Sequence, residues 1–148
     1  MVSASDVEAY LHARIPLSRQ MQVRVTVGDG AGVRIAAPLA PNVDHRGTVF
    51  GGSASAVAML AGWAQVHARI AELPFETGLV IRRAGIEYDL PIDGDFEAWC
   101  PTPGVAEWTR FDTDLRRGGK GRVELGVELQ RAGRTVASFQ GVYVALRG

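Results

Sequence analysis

Apolar residues recur along this chain with two different periods. From Met21 to Val27 they alternate with polar ones, Met21, Val23, Val25 and Val27 against Gln22, Arg24 and Thr26. After the turn sequence GDGAG the alternation resumes at Val33, Ile35, Ala37 and Leu39, which predicts a β-hairpin. Pro38 and Pro41 end its second strand, because proline cannot donate to a ladder. Ahead of the hairpin, Val7, Leu11 and Ile15 share one face of a predicted short helix. Ser5 and Glu8 stand at capping-box spacing within it, and Pro16 marks its stop.

From Ser53 to about Ala71 the residues are good helix formers. The first half is small or apolar on every face, which predicts a helix buried all round. Leu73 and Pro74 end it, and Gln65, His67 and Arg69 mark the end that reaches water; His67 and His12 are both read as solvent-facing. Alternation returns over Gly78–Asp89, then a Pro-Ile-Asp-Gly-Asp turn, then FEAWC with Phe96, Ala98 and Cys100 on one face. Val105, Trp108, Phe111 and Leu115 fall at helical spacing behind Thr102 and Pro103, which read as N-cap and first helical residue. The last third is a long hairpin: Val123, Leu125, Val127 and Leu129 alternate with polar residues, RAG turns, and Val136, Ser138, Gln140, Val142 and Val144 continue.

The sum is an α+β layout, a curved antiparallel sheet of about six strands wrapped around one long central helix. Such a helix covers one sheet face only. The other face and the edges call for a partner, so a homodimer is expected, with a tetramer as the next assembly.

Composition narrows the function classes. The chain has 148 residues, 47% of them hydrophobic and 22% charged, which suits one globular domain spanning 1–148. Lys plus Arg and Asp plus Glu both total 16, so no single-sign field points to nucleic acid or an anionic membrane. Cys100 is the single cysteine and the three histidines are scattered, so neither an intramolecular disulfide nor a metal site is expected, and a reducing cytoplasm suits the chain. The first residues carry charge and lack the apolar core of a signal peptide. The uncharged run Gly47–Val66 is long enough to test as a membrane span, but its Gly, Ala and Ser content, Gln65 and the amphipathic strands behind it speak against one.

The segment NVDHRGTVFGGSASAVAMLAGWA resembles the loop and helix start of small hot-dog thioesterases, in which a GTVHGG pattern precedes a helix of small residues. AGIEYDLPIDGDFEAWC is similar to that group's strand–turn–strand segment, and GGKGRVELGVELQRAGRTVASFQGVYVAL to its closing hairpin. Over nearly its whole length the chain resembles the YiiD C-terminal-domain type of thioesterases. The resemblance implies a hot-dog fold and hydrolysis of acyl thioesters of coenzyme A or an acyl carrier protein at a dimer-interface site. No cofactor is implied beyond the coenzyme A moiety of the substrate. Two positions depart from the common pattern. Phe50 stands where His is usual, and Met59 where the central helix usually carries an acid; no Asp or Glu occurs between Asp44 and Glu72.

Thioester hydrolysis needs donors for the developing oxyanion and a base for water. Gly51, Gly52 and Ser53 lie where the central helix starts, so their free N–H groups can meet that charge, with Phe50 and Ser55 flanking the substrate. Equally, the glycines can serve a tight turn into a closely packed helix. Asp44 is the first candidate base and His45 the second, with Asn42 orienting water or the carbonyl. The competing reading makes Asn42 and Asp44 turn residues that bond their own backbone. FGGSAS lacks nucleophile-elbow spacing, so Ser53 and Ser55 are better read as N-cap and first-turn residues. VGDGAG opens no helix and is not a dinucleotide loop. RRGGKGR is the one dense basic cluster; the resemblance makes Arg117, Lys120 and Arg122 candidates for the coenzyme A phosphates, against a solvated charged turn. Arg82 and Arg83 are successive in a strand, so one is expected to face into an interface or site and to need a counter-charge such as Glu87. The leading expectation is a thioester hydrolase. A non-catalytic acyl-CoA or acyl-carrier binding module is the rival, and a hot-dog hydratase or dehydratase using Asp44 with His45 is third.

Overall fold

A computed structural model describes residues 3–148; Met1 and Val2, the first residues of the N-terminal segment read above for a leader, lie outside the described residues. The elements are α1 (Ala4–Arg14), α2 (Pro16–Gln20), β1 (Arg24–Asp29), β2 (Gly32–Ala37), a 3-10 turn (Ala40–Asn42), α3 (Gly51–Ile70), β3 (Thr77–Tyr88), β4 (Phe96–Pro101), α4 (Val105–Gly118), β5 (Lys120–Arg131) and β6 (Arg134–Arg147). The six strands form one antiparallel sheet in the order β1-β2-β4-β5-β6-β3. The long helix α3 lies across it, touching β2, β3, β4, β5 and β6. The α+β architecture is the one its hydrophobic periodicity predicts.

The helix limits shift by local chemistry. Ser3, not Ser5, caps α1: its hydroxyl accepts from the Asp6 amide while the Asp6 carboxylate accepts from the Ser3 amide. Pro16 opens α2 as its first residue, where the missing N–H costs nothing, rather than ending the chain of turns. α3 begins two residues earlier than Ser53, with Phe50 as N-cap. α4 starts behind Gly104, so Thr102 and Pro103 precede it; Trp108, Phe111 and Leu115 are buried, but Val105 is 84% exposed.

Residues facing α3 are set by parity and by where parity breaks. On β5, Val123, Leu125, Val127 and Leu129 point inward. Opposite them on β6 stand Tyr143, Gly141, Phe139 and Ala137, so the inward set is odd-numbered and Val142 and Val144 lie on the outer face. Val136 is the extra residue that changes phase, between the pairs Leu129–Ala137 and Gln130–Thr135. β3 changes phase too. Its pairing jumps from Ile81–Tyr143 to Arg83–Val142, leaving Arg82 as a bulge. Without that bulge Arg83 would follow Leu79 and Ile81 inward; with it, Ala84, Ile86 and Tyr88 take the inner face. Both arginines are exposed within the single chain, Arg82 at the bulge and Arg83 on the outer face of this edge strand, so neither turns towards α3.

Tyr143 fixes the depth of α3. Its phenol, fully buried, donates to the Met59 carbonyl at 2.7 Å. It fits because Gly62 has no side chain: a Cβ there would lie 2.6 Å from Cζ of Tyr143 and nearer still to its oxygen.

The two sheet edges differ. At β1, Glu8 Oε1 accepts from the Val25 amide at 2.9 Å and His12 Nε2 donates to the Val23 carbonyl at 2.9 Å, so α1 covers that edge. His12 is therefore half-buried structure, not a surface residue. β3 is the other edge, 12 residues long and bonded only to β6.

Candidate active site

The polar loop ahead of α3 is held by its own groups. Asn42 is 2% exposed, and its Nδ2 donates to the Met21 carbonyl at 3.0 Å and the Pro38 carbonyl at 2.8 Å. Two facing carbonyls require a donor, which fixes the amide orientation and leaves Oδ1 buried without a partner. The Asn42 carbonyl accepts from Phe50 N at 2.8 Å, and Val49 N donates to the Ile92 carbonyl at 2.8 Å, so the loop is stitched to the β3–β4 connection.

Asp44 closes the loop on itself. Its Oδ1 accepts from Arg46 N at 2.9 Å and Thr48 N at 3.2 Å, and Thr48 Oγ1 donates to Oδ2 at 3.1 Å. These bonds, the Arg46 amide first among them, hold the carboxyl below its ordinary value of 3.8. His45 is exposed and its ring makes no hydrogen bond among the described residues. The geometry thus gives Asn42 and Asp44 the turn-holding roles.

The first turn of α3 presents open donors. The first intrahelical bond runs from Ala54 N to the Phe50 carbonyl at 3.0 Å, and no side chain caps the helix, so the Gly51, Gly52 and Ser53 amides lack acceptors. Gly52 lets the 58%-exposed Phe50 ring lie over this turn; a Cβ would approach two of its ring carbons at 3.1 Å. Ser53 and Ser55 are half-buried within the helix, and neither hydroxyl is bonded to a base.

Tyr88 was not legible as a site residue, because the bulge at Arg82 turns it inward. Its phenol donates to the Gly51 carbonyl at 2.7 Å. That carbonyl belongs to the same peptide unit as the Gly52 N–H, so the bond orients the unit and polarises its donor. Partial burial raises the Tyr88 phenol above its ordinary value, keeping it a proton donor. Tyr88 and Gly51 share a cavity of about 340 Å³ with Thr48, Val49, Asp89 and Pro91. Asp89, also unforeseen, is the acidic residue among those lining it.

The basic cluster lies elsewhere. Lys120 pairs with Leu146 and Arg122 with Val144, which in turn pair with Gly78 and Val80. Arg117, Lys120 and Arg122 are exposed, and within one chain the last two stand abreast of the start of β3, opposite the end that carries Tyr88. His67 is half-buried in an aromatic stack, its ring 4.1 Å from that of Tyr10 and 5.0 Å from that of Trp63, which corrects its reading as a solvated residue; burial pushes its pKa down. Among the described residues no group of three or more His, Cys, Asp or Glu side chains could hold a metal, and no helix is long and apolar enough to cross a membrane.

This arrangement has close structural counterparts. A putative thioesterase from Shewanella oneidensis superposes with TM-score 0.86 at 29% identity, covering 97% of this chain and 96% of that one. A protein of unknown function from Chlorobaculum tepidum TLS has TM-score 0.91 at 24% identity, covering 99% and 98%. A Pseudomonas aeruginosa protein described as a probable thioesterase has TM-score 0.79 at 19% identity, covering 97% and 96%. The latter two carry the fold alone. The profile of the YiiD C-terminal family, described as putative thioesterase, matches residues 4–147. With that match over nearly its full length and a curved sheet around one long helix, the chain belongs to the YiiD C-terminal-domain family of putative thioesterases, on the hot-dog fold.

Proposed function

We propose that this protein hydrolyses acyl thioesters of coenzyme A or an acyl carrier protein, as a cytoplasmic homodimer joined along β3. The observation that carries the reading is the cavity at the start of α3, lined by Gly51, whose amide has no acceptor, and by Asp89. The thioester carbonyl oxygen accepts from the Gly51 and Gly52 amides, aided by the positive end of α3. Asp89 takes a proton from water as the water oxygen bonds to the carbonyl carbon. The tetrahedral intermediate collapses, the C–S bond breaks, and the thiolate leaves to be protonated, giving a carboxylic acid and a thiol. Asn42 and Asp44 keep the loop in place, and Tyr88 holds the Gly51–Gly52 peptide.

Dimerisation follows from the edges. β1 is covered by α1, whereas β3 offers a long unpaired row of backbone groups that an antiparallel copy satisfies. Such pairing carries the partner's Lys120 and Arg122 alongside the end of β3 that bears Tyr88 but on the outer face of the sheet, away from the cavity, which leaves Arg117, on α4, as the candidate for a coenzyme A phosphate. The free, buried Cys100 suits a reducing compartment. The lack of any carboxylate on α3 favours a second reading, a non-catalytic acyl-binding module.

A panel of acyl-CoA esters assayed by thiol release tests both. Asp89→Asn should abolish turnover, while Asp44→Ala and His45→Ala retain it once folding is matched. Loss with His45→Ala alone moves the base to His45, and binding without turnover on any thioester establishes the acyl-binding module.

A further inference from the structure

We propose that the cavity between α1, α2 and the ends of β1, β2 and β4 binds an elongated solute with an anionic group at each end and hydroxyls between them, a bisphosphorylated sugar or polyol. The site is separate from thioester hydrolysis, since this cavity shares no lining residue with the one at the start of α3.

The cavity, about 920 Å³, is lined by the cations Arg19, Arg24 and Arg131 and by the acids Glu8, Asp95 and Glu97. The two signs are equal in number but not equally free. Glu8 Oε1 accepts from the Val25 amide at 2.9 Å, Asp95 Oδ1 accepts from the Leu39 amide at 2.9 Å, and Glu97 pairs with Arg34 at 3.5 Å. Arg19 and Arg24 make no hydrogen bond or ion pair among the described residues. Arg131 is seated by Gly94, where a Cβ would overlap its guanidinium, and its one ion pair is with the 77%-exposed Asp93 side chain at 3.5 Å. So exposed a pair holds a cation weakly. The charge left for a ligand is therefore positive, and guanidinium forks match phosphate oxygens two at a time.

The sheet sets the shape of the ligand. Arg24, Ala36, Glu97 and Gln130 stand in one row across β1, β2, β4 and β5. Arg131 follows Gln130, so the backbones of Arg24 and Arg131 lie roughly 14 Å apart at about 4.8 Å per strand. Glu97 stands between them and repels an anion at the middle, so the cations favour anionic groups at separate ends. Ala36, Ala37 and Pro38 put little side chain into the intervening space, and the carboxylate oxygens of Glu97 and Asp95 accept from hydroxyls there.

Gln22 points the same way. It follows α2 with φ 56°, a left-handed position that usually goes to glycine, and its side-chain amide has no partner among the described residues. At the cost of that backbone conformation the cavity gains a donor that glycine lacks.

Calorimetry on the full chain with fructose 1,6-bisphosphate, fructose 6-phosphate and 1,6-hexanediol bisphosphate tests the site. The sugar bisphosphate should bind about tenfold tighter than the monophosphate, which is the worth of one charge-assisted contact. The hexanediol compound lacks the hydroxyls and should bind more weakly than the sugar bisphosphate. Arg24→Ala and Arg131→Gln should each bring the bisphosphate down to the affinity of the monophosphate, and Arg24→Lys should recover part of the loss. Arg110→Ala, on an exposed position of α4, should leave it unchanged. Gln22→Gly should raise Tm by relieving the left-handed backbone and still weaken the bisphosphate, whereas a purely structural residue would give the rise alone. If Arg131→Gln fails to fold by circular dichroism, the exposed Arg24 decides. Equal affinity for the two sugar phosphates, binding of neither, or a bisphosphate affinity unmoved by Arg24→Ala overturns the proposal. Hexanediol bisphosphate binding as tightly as the sugar overturns its hydroxylated middle.

Discussion

Gly62→Ala separates tertiary packing from helix propensity by the sign of its effect. In an exposed helix interior the change stabilises by up to about 1 kcal/mol. At Gly62 the added methyl meets Tyr143, with Cζ at 2.6 Å and Cε1 at 2.8 Å, and both residues are buried. Overpacking of this kind costs about 1–3 kcal/mol. Moving the ring also loosens the phenol's bond to the Met59 carbonyl, which contributes about 0.5–1.5 kcal/mol. The net expectation is a destabilisation of about 1–3 kcal/mol. For a chain of this size that lowers Tm by roughly 3–9 °C, at about 3 °C per kcal/mol. Urea unfolding and calorimetry of Gly62→Ala, Tyr143→Phe and the double variant measure it. Removing the phenol oxygen, the atom nearest the new methyl, should make Gly62→Ala less costly in the Phe background, a coupling of about 0.5–1 kcal/mol. A single variant more stable than wild type, or strictly additive effects, would refute the reading that Tyr143 sets the depth of α3.

Three further outcomes follow from the same contacts. Tyr88→Phe keeps the ring against Gly51 but loses the donor, so kcat should fall roughly 3–10-fold with KM little changed, and the Gly52 amide proton should shift upfield by NMR; an unmoved amide removes Tyr88 from this role. Asp44 is held below its ordinary value, so its stabilisation is present above pH 3.8 and is lost as pH falls through the folded value; Asp44→Ala should flatten the acid limb of Tm against pH, and an unchanged limb contradicts it. Glu8→Ala leaves the Val25 amide of β1 without its acceptor and uncovers that edge, so size-exclusion chromatography should show species larger than the wild type, whereas a wild-type elution profile would mean that α1 does not guard it.

The strands, the small-residue character of α3 and the closing hairpin were legible from Val, Leu and Ile spacing alone, because side-chain period reports local backbone geometry. The loop before α3 was also marked by its Asn, Asp and Gly content, and turn-holding was one of the readings left open for Asn42 and Asp44. Tyr88 was hidden, because its inward direction depends on the Arg82 bulge, and that bulge arises where β3 pairs with β6, more than 50 positions along the chain. His67 looked solvated because its cover, Tyr10, comes from α1. Asp89 had no local mark, since it shares a cavity with Gly51 only once the β3–β4 connection is stitched to the loop through Val49 and Ile92. The sequence by itself thus determined which segments are helix and strand, the buried run of α3 and the family. Tertiary pairing decided strand order, which edge stays open, the phase of β3 and β6, and which residues line the cavity at the start of α3, because each depends on contacts between residues far apart in the chain.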